Sequence, residues 1–110
     1  MTIHLRRLLP WAASAEALLL TASPAVAASR EHVVVIDKMK FGPVAANLRK
    51  GDAIVWVNRD IFRHTATAAN RSFDVDLPPG AKVRIVLKST GSIPFVCRYH
   101  PGMRGVLQVK

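Results

Sequence analysis

One cysteine, seven acidic side chains and no sustained helical periodicity are the shortages that shape this 110-residue sequence. The lone Cys97 excludes an internal disulfide and leaves burial, pairing between chains or metal ligation as its uses. The acids face sixteen Lys and Arg, a formal net charge of +9, which steers a chain toward nucleic acid, an anionic membrane or an acidic protein. The cations are dispersed, as at Lys38, Lys40, Arg71 and Lys88, with no clustered run of the kind that grips nucleic acid. After residue 27 no apolar repeat at helical spacing persists, and there are no internal repeats and no Met- or His-rich tracts. A helical bundle, a repeat protein and a metal-gathering low-complexity segment are thereby excluded.

The first quarter of the chain has its own character. Arg6 and Arg7 precede a Leu- and Ala-rich run from Leu8 to Leu20, and Ala25-Val26-Ala27 gives the small-x-small pattern of a signal-peptidase site. Residues 1–27 are accordingly expected to be a signal peptide and residues 28–110 the domain. Pro10 and Glu16 interrupt the apolar run, which falls short of the roughly 20 residues a spanning helix requires, so no stable membrane insertion is expected after cleavage. Loss of two arginines and one glutamate with the leader lowers the formal charge from +9 to +8. Export, to the periplasm of a diderm bacterium as the natural setting, also argues against nucleic acid as a partner.

The remaining residues read as short strands broken by turns. His32 to Asp37 is a β-branched run, Val44 to Leu48 is expected to be a short extended segment, and Ala53 to Asn58 is the clearest central strand, with Trp56 filling the space between two sheets. Val83, Ile85 and Leu87 alternate with Lys82, Arg84 and Lys88, the period-two pattern of a half-buried strand. Gly42-Pro43, Lys50-Gly51-Asp52, Pro78-Pro79-Gly80 and Ser89-Thr90-Gly91 punctuate the chain. The expected fold is an all-β, Greek-key β-sandwich of seven to eight strands.

Ligand chemistry concentrates in Cys97-Arg98-Tyr99-His100-Pro101-Gly102-Met103, where a thiolate, an imidazole and a thioether recur at three-residue intervals. These polarisable donors suit copper in both oxidation states better than any hard cation. His64 supplies a second imidazole from the connection after the Trp56 strand. Loops at one end of a Greek-key sandwich converge, which brings an early histidine against the late Cys-His-Met loop. Two imidazoles and a thiolate then form a trigonal plane with a weak axial thioether. Other candidates have plainer roles: Met39 packs, His32 is a strand-end or core histidine, and Asp74 and Asp76 face solvent.

On these residues the chain resembles the cupredoxin, or blue copper, family. The Cys97-to-Gly105 loop is similar to the short ligand loop of its amicyanin-like members, with two residues between Cys97 and His100 and two between His100 and Met103. Plastocyanins, otherwise similar, have a longer His-to-Met gap. The likeness extends to Trp56-Val57-Asn58-Arg59-Asp60 before His64 and covers most of residues 31–110. It implies one mononuclear copper held by His64, Cys97, His100 and Met103. Three neighbours depart from the pattern: Arg63 replaces a common proline, Arg98-Tyr99 replaces Thr-Pro, and Thr65 stands where relatives often have an Asn that fastens the cysteine loop. The Thr65 hydroxyl is the group available for that task.

The resemblance implies an exported, monomeric one-electron carrier rather than an enzyme, with His100 as the electron port. Arg63, Arg98 and Arg104 crowd the same end, so the redox protein partner is expected to be acidic at its docking surface. The alternative is a periplasmic copper-binding carrier or resistance protein that delivers metal without electron transfer.

Overall fold

The computed structural model describes residues 28–110 together with Thr2, Ala17 and Leu18. Apart from those three residues, the expected signal peptide lies outside the described residues. Within them the chain forms eight strands and no helix: β1 (Glu31–Asp37), β2 (Lys40–Phe41), β3 (Ala53–Asn58), β4 (His64–Ala68), β5 (Asp74–Leu77), β6 (Lys82–Val86), β7 (Gly91–Val96) and β8 (Arg104–Val109). They build two four-stranded sheets in the orders β2-β1-β3-β6 and β5-β4-β7-β8. β1 and β3 run parallel, in register from Glu31 opposite Ala53 to Ile36 opposite Asn58, and the other pairings are antiparallel. Connections β3–β4, β5–β6 and β6–β7 cross between the sheets, giving the cupredoxin-like sandwich.

Alternation writes the core. Val34 and Ile36 of β1, Ile54 and Trp56 of β3, Val75 and Leu77 of β5, Ile93 and Phe95 of β7, and Leu107 and Val109 of β8 point into the space between the sheets. Val83 and Ile85 of β6 pack against them half-buried. Trp56 is fully buried and edge-on to Phe41 and Phe95, with ring centroids 6.0 and 5.2 Å away. Aromatic pairs in this geometry add to the burial energy of the rings themselves.

Val44 to Leu48 departs from its sequence expectation. Only Leu48 pairs, through an isolated bridge to Val109, and a turn occupies Ala46-Asn47. The reason lies in the donors just upstream. The Gly42 N–H donates to Val35 O at 2.7 Å and carries the β1–β2 ladder one rung further, but Pro43 has no N–H to continue it. Leu48 still packs fully buried, and its carbonyl accepts from Lys110 N–H at 2.9 Å, tying the segment to the end of the chain.

His32 is no ligand candidate: its Nε2 lies 3.1 Å from Asp52 Oδ2 at the start of β3. Backbone N–H donation from Arg30, then the His32 contact and the Arg49 N–H, lower the Asp52 carboxyl from an ordinary 3.8 to about 2. A depressed carboxyl contributes stability that is present above its unfolded value and disappears as the group protonates in the folded state. Stability of the metal-free protein is therefore expected to fall between about pH 4 and about pH 2. Thermal unfolding across that window checks this, and an Asp52→Asn variant should decline less steeply.

Candidate metal centre

Four segments meet at the end of the sandwich where β3 finishes and β4 begins. Asn58, the last residue of β3, is buried, and its side-chain amide donates to Phe62 O and Leu77 O, both at 2.8 Å. Its Oδ1 accepts from Asp60 N–H at 2.8 Å. One amide thus shapes the whole β3–β4 connection and delivers His64 as the first residue of β4. On the other side β7 ends at Val96, Cys97 follows, and the loop returns through Met103 into β8. That loop is closed by its own backbone: Met103 N–H donates to His100 O at 2.8 Å, and Cys97 N–H to Met103 O at 3.0 Å.

His64, Cys97 and His100 converge there, their donor atoms all within 4.8 Å of one another. Cys97 Sγ lies 3.7 Å from His64 Nδ1 and 3.7 Å from His100 Nδ1. Both separations are long for hydrogen bonds. Bonds of about 2.3 Å to sulfur and about 2.0 Å to nitrogen, subtending a near-trigonal angle at one metal ion, place such donors roughly 3.7 Å apart. The fit is therefore to a shared ion, and the soft thiolate with two imidazoles fits copper. His64 and Cys97 are fully buried and His100 is half-buried, so only one ligand edge reaches solvent. Met103, 6% exposed, lies in the same core cluster.

Thr65 fastens the cysteine loop as its position implies. Its hydroxyl accepts from Arg98 N–H at 2.9 Å, while its backbone N–H points at Cys97 Sγ at 3.4 Å. Thr67 Oγ1 donates to Asp74 Oδ1 at 2.8 Å, so the single hydroxyl proton of Thr65 goes to Thr67 Oγ1, 2.9 Å away. The result is one polarised chain from the loop backbone to a surface carboxylate. Hydrogen bonding at a ligating sulfur is also a lever on redox potential.

Sequence reasoning missed Asp60. Its Oδ2 lies 2.9 Å from His64 Nε2, on the far side of the ring from Cys97. This contact, followed by Met39 N–H donation, holds the Asp60 carboxyl below the usual carboxylate range. The available signal was an acid four residues before a candidate ligand histidine. Two of the three arginines expected to crowd this end are paired with acids. Arg63 forms a two-pronged pair with Asp76, and Arg98 Nε is 3.4 Å from Asp74 Oδ1. Asp74 and Asp76 do face solvent, but in doing so they neutralise two of the three arginines at this end. Beside His100 the exposed surface includes apolar groups: Phe62 and Tyr99 are 50% and 51% exposed, Phe62 meets the His100 ring at 6.4 Å between centroids, and Ile61, next to Phe62 in the β3–β4 connection, is 80% exposed. An open cleft of about 630 Å³ bordered by Arg30, Arg49, Lys50 and Asp52 lies at the opposite end of β3, away from this chemistry.

A two-sheet Greek-key frame holding a His-Cys-His set at one end, with His64 and Cys97 buried, defines a copper protein of the cupredoxin class. The chain belongs to the cupredoxin-like family, whose domain model, Cupredoxin-like domain, matches residues 10–109. It is 27% identical over 84 residues to amicyanin from Paracoccus versutus, an alignment spanning 71% of this chain and 64% of that protein. Among solved structures, a reduced amicyanin variant superposes with a TM-score of 0.60 at 23% identity, covering 73% of this chain and 82% of the other. A copper-containing nitrite reductase from Thermus scotoductus superposes at 0.62 with 25% identity, over 71% of this chain but only 22% of the enzyme. The cofactor of this family site is copper, and His64, Cys97 and His100 are positioned to hold it.

Proposed function

We propose that the protein is an exported one-electron carrier whose type 1 copper centre has His64, Cys97 and His100 as its strong ligands and Met103 as the weak axial donor. The observation that carries this reading is the pair of 3.7 Å separations from Cys97 Sγ to the two Nδ1 atoms. Copper bound there supplies the redox chemistry, exchanging one electron between Cu(II) and Cu(I). The protein's part is to keep the donors nearly fixed. The Cys97–Met103 backbone closure and the Thr65 clasp restrain the cysteine loop, and the Asn58-shaped connection restrains the segment that bears His64. Met103 is supported as the fourth donor by its burial and by backbone bonds to both Cys97 and His100.

His100 is the electron port in this reading, because it alone of the three donors reaches the surface. The ring of Ile61, Phe62, Tyr99 and exposed Pro101 offers an apolar contact that excludes water from the transfer path. Arg104, whose guanidinium reaches Pro101 O at 3.3 Å, is the cation left beside the port to meet an acidic partner. No helix among the described residues is long and apolar enough to cross a membrane. The mature protein, residues 28–110, is taken to act as a periplasmic monomer once residues 1–27 are removed.

Loading the protein with Cu(II) tests the proposal. The expected result is an intense visible thiolate-to-copper band that bleaches on reduction, together with a reversible one-electron wave in voltammetry. Absence of the band overturns the type 1 centre. A band without reversible electron exchange overturns the carrier role and leaves copper delivery.

A further inference from the structure

The Asp60 carboxylate is held in place from several sides by the protein. Oδ2, which faces His64 Nε2 at 2.9 Å, also accepts from Met39 N–H at 2.9 Å, while Oδ1 accepts from Ile61 N–H at 3.1 Å. The residue's own N–H is bound to the buried Asn58 side chain at 2.8 Å. Met39 belongs to the β1–β2 hairpin turn, where Lys38 and Met39 have φ of 50° and 61°. Consecutive positive φ values are the signature of a tight two-residue hairpin turn, which fixes the direction of the Met39 N–H. An element 21 residues upstream therefore aims the carboxylate at the metal centre.

The contact decides where His64 carries its proton. An ionised carboxylate only accepts hydrogen bonds, so the hydrogen between Asp60 Oδ2 and His64 Nε2 belongs to the ring. An imidazole with its proton on Nε2 has its lone pair on Nδ1, the atom that faces Cys97 Sγ. His64 is fully buried, so water does not compete for either nitrogen.

We propose that Asp60 is a positioning residue for the metal centre: it locks His64 as the Nε2–H tautomer with Nδ1 presented for ligation before metal arrives, and its fixed negative charge favours the oxidised, more positive metal. Partners on the far nitrogen of a ligating histidine orient the ring and raise its basicity. A neutral staple would orient equally well, and the charge is what distinguishes Asp60 from one. The redox half of this inference rests on the type 1 copper reading, whereas the tautomer half rests on the contact alone.

Asp60→Asn separates charge from shape, because its amide oxygen can still accept from both Met39 N–H and His64 Nε2–H. The copper-loaded variant is expected to keep its visible band. At a fixed ambient potential, its Cu(I):Cu(II) ratio should rise about tenfold over the unsubstituted protein, equivalent to 59 mV for one electron. Nitrogen-detected correlation spectra of the metal-free, unsubstituted protein at neutral pH provide a second readout needing neither copper nor a variant, and are expected to show His64 as a fixed Nε2–H tautomer. An unchanged ratio in a blue Asp60→Asn protein overturns the proposal while leaving the carrier function intact, and so does a Nδ1–H or rapidly averaging His64. Absence of the band in the unsubstituted protein overturns the carrier reading instead, and the tautomer spectra still decide the positioning role.

Discussion

Gly105→Ala is expected to destabilise the metal-free protein by roughly 3 kcal/mol, the upper end of the range for overpacking a core. Gly105 stands directly opposite Phe95 across the β7–β8 ladder, and the Phe95 ring folds over it. A Cβ on Gly105 would overlap Phe95 Cζ and lie only 2.9 Å from Cε1. The ring has nowhere to go. It is 1% exposed and wedged against Phe41 and Trp56, with centroids 4.8 and 5.2 Å away. Relief must come from displacement of β8, and Gly105 is two residues from Met103, so the strain is delivered to the ligand loop as well. For a domain of this size the loss corresponds to a fall in Tm of about 12–24 °C. Chemical denaturation checks it: a loss under about 1 kcal/mol would show that the aromatic cluster repacks freely. A Gly105→Ala/Phe95→Leu double variant should recover part of the loss relative to additivity, because the two residues are in contact.

Much of this cluster is legible in the sequence, and the illegible parts share a cause. Trp56 in an apolar strand, and the alternation of Val83, Ile85 and Leu87, fix which faces are buried, because a two-residue period leaves no second choice. The Cys97-to-Met103 spacing displays its chemistry openly, and family resemblance is what singles out His64 and points to the Thr65 hydroxyl. Asp60 is different. Its contact with His64 depends on Met39 N–H, contributed by a hairpin turn 21 residues earlier, and nothing in Arg59-Asp60-Ile61 displays that dependence. The ion pairs Arg63–Asp76 and Arg98–Asp74 are hidden for the same reason: β5 reads as alternating in and out, but which cations meet its outer acids is decided by its pairing with β4. Val44 to Leu48 shows the converse error, in which residue type suits an extended segment while Pro43, which has no N–H, ends the ladder that Gly42 still continues. Residue patterns thus reveal faces and ligands, whereas polar contacts between distant segments emerge only with register.

Cys97→Ser is expected to abolish the visible band while leaving the sandwich folded, and this contrast is the sharpest available separation of site from scaffold. Cys97 is fully buried, and its sulfur is the common neighbour of both Nδ1 atoms and of Thr65 N–H. Serine keeps the rotamer and nearly the volume but offers a shorter, hard, neutral oxygen, so the polarisable donor that suits copper in both oxidation states is lost. Affinity for Cu(I) should fall by more than about a hundredfold, beyond the largest loss that removal of a second-shell partner causes. The scaffold pays less. The retracted oxygen weakens the 3.4 Å contact with Thr65 N–H, a buried donor whose partial loss costs about 1–2 kcal/mol. The clasp from Arg98 N–H to the Thr65 hydroxyl does not involve sulfur and keeps the loop closed. Competition with a Cu(I) chelator, and denaturation of the metal-free variant, measure the two effects independently. A variant that kept an unchanged band would remove Cys97 from the centre. One that failed to fold would instead mean that the sulfur, rather than the Thr65 hydroxyl and the Cys97–Met103 backbone bond, holds the loop together.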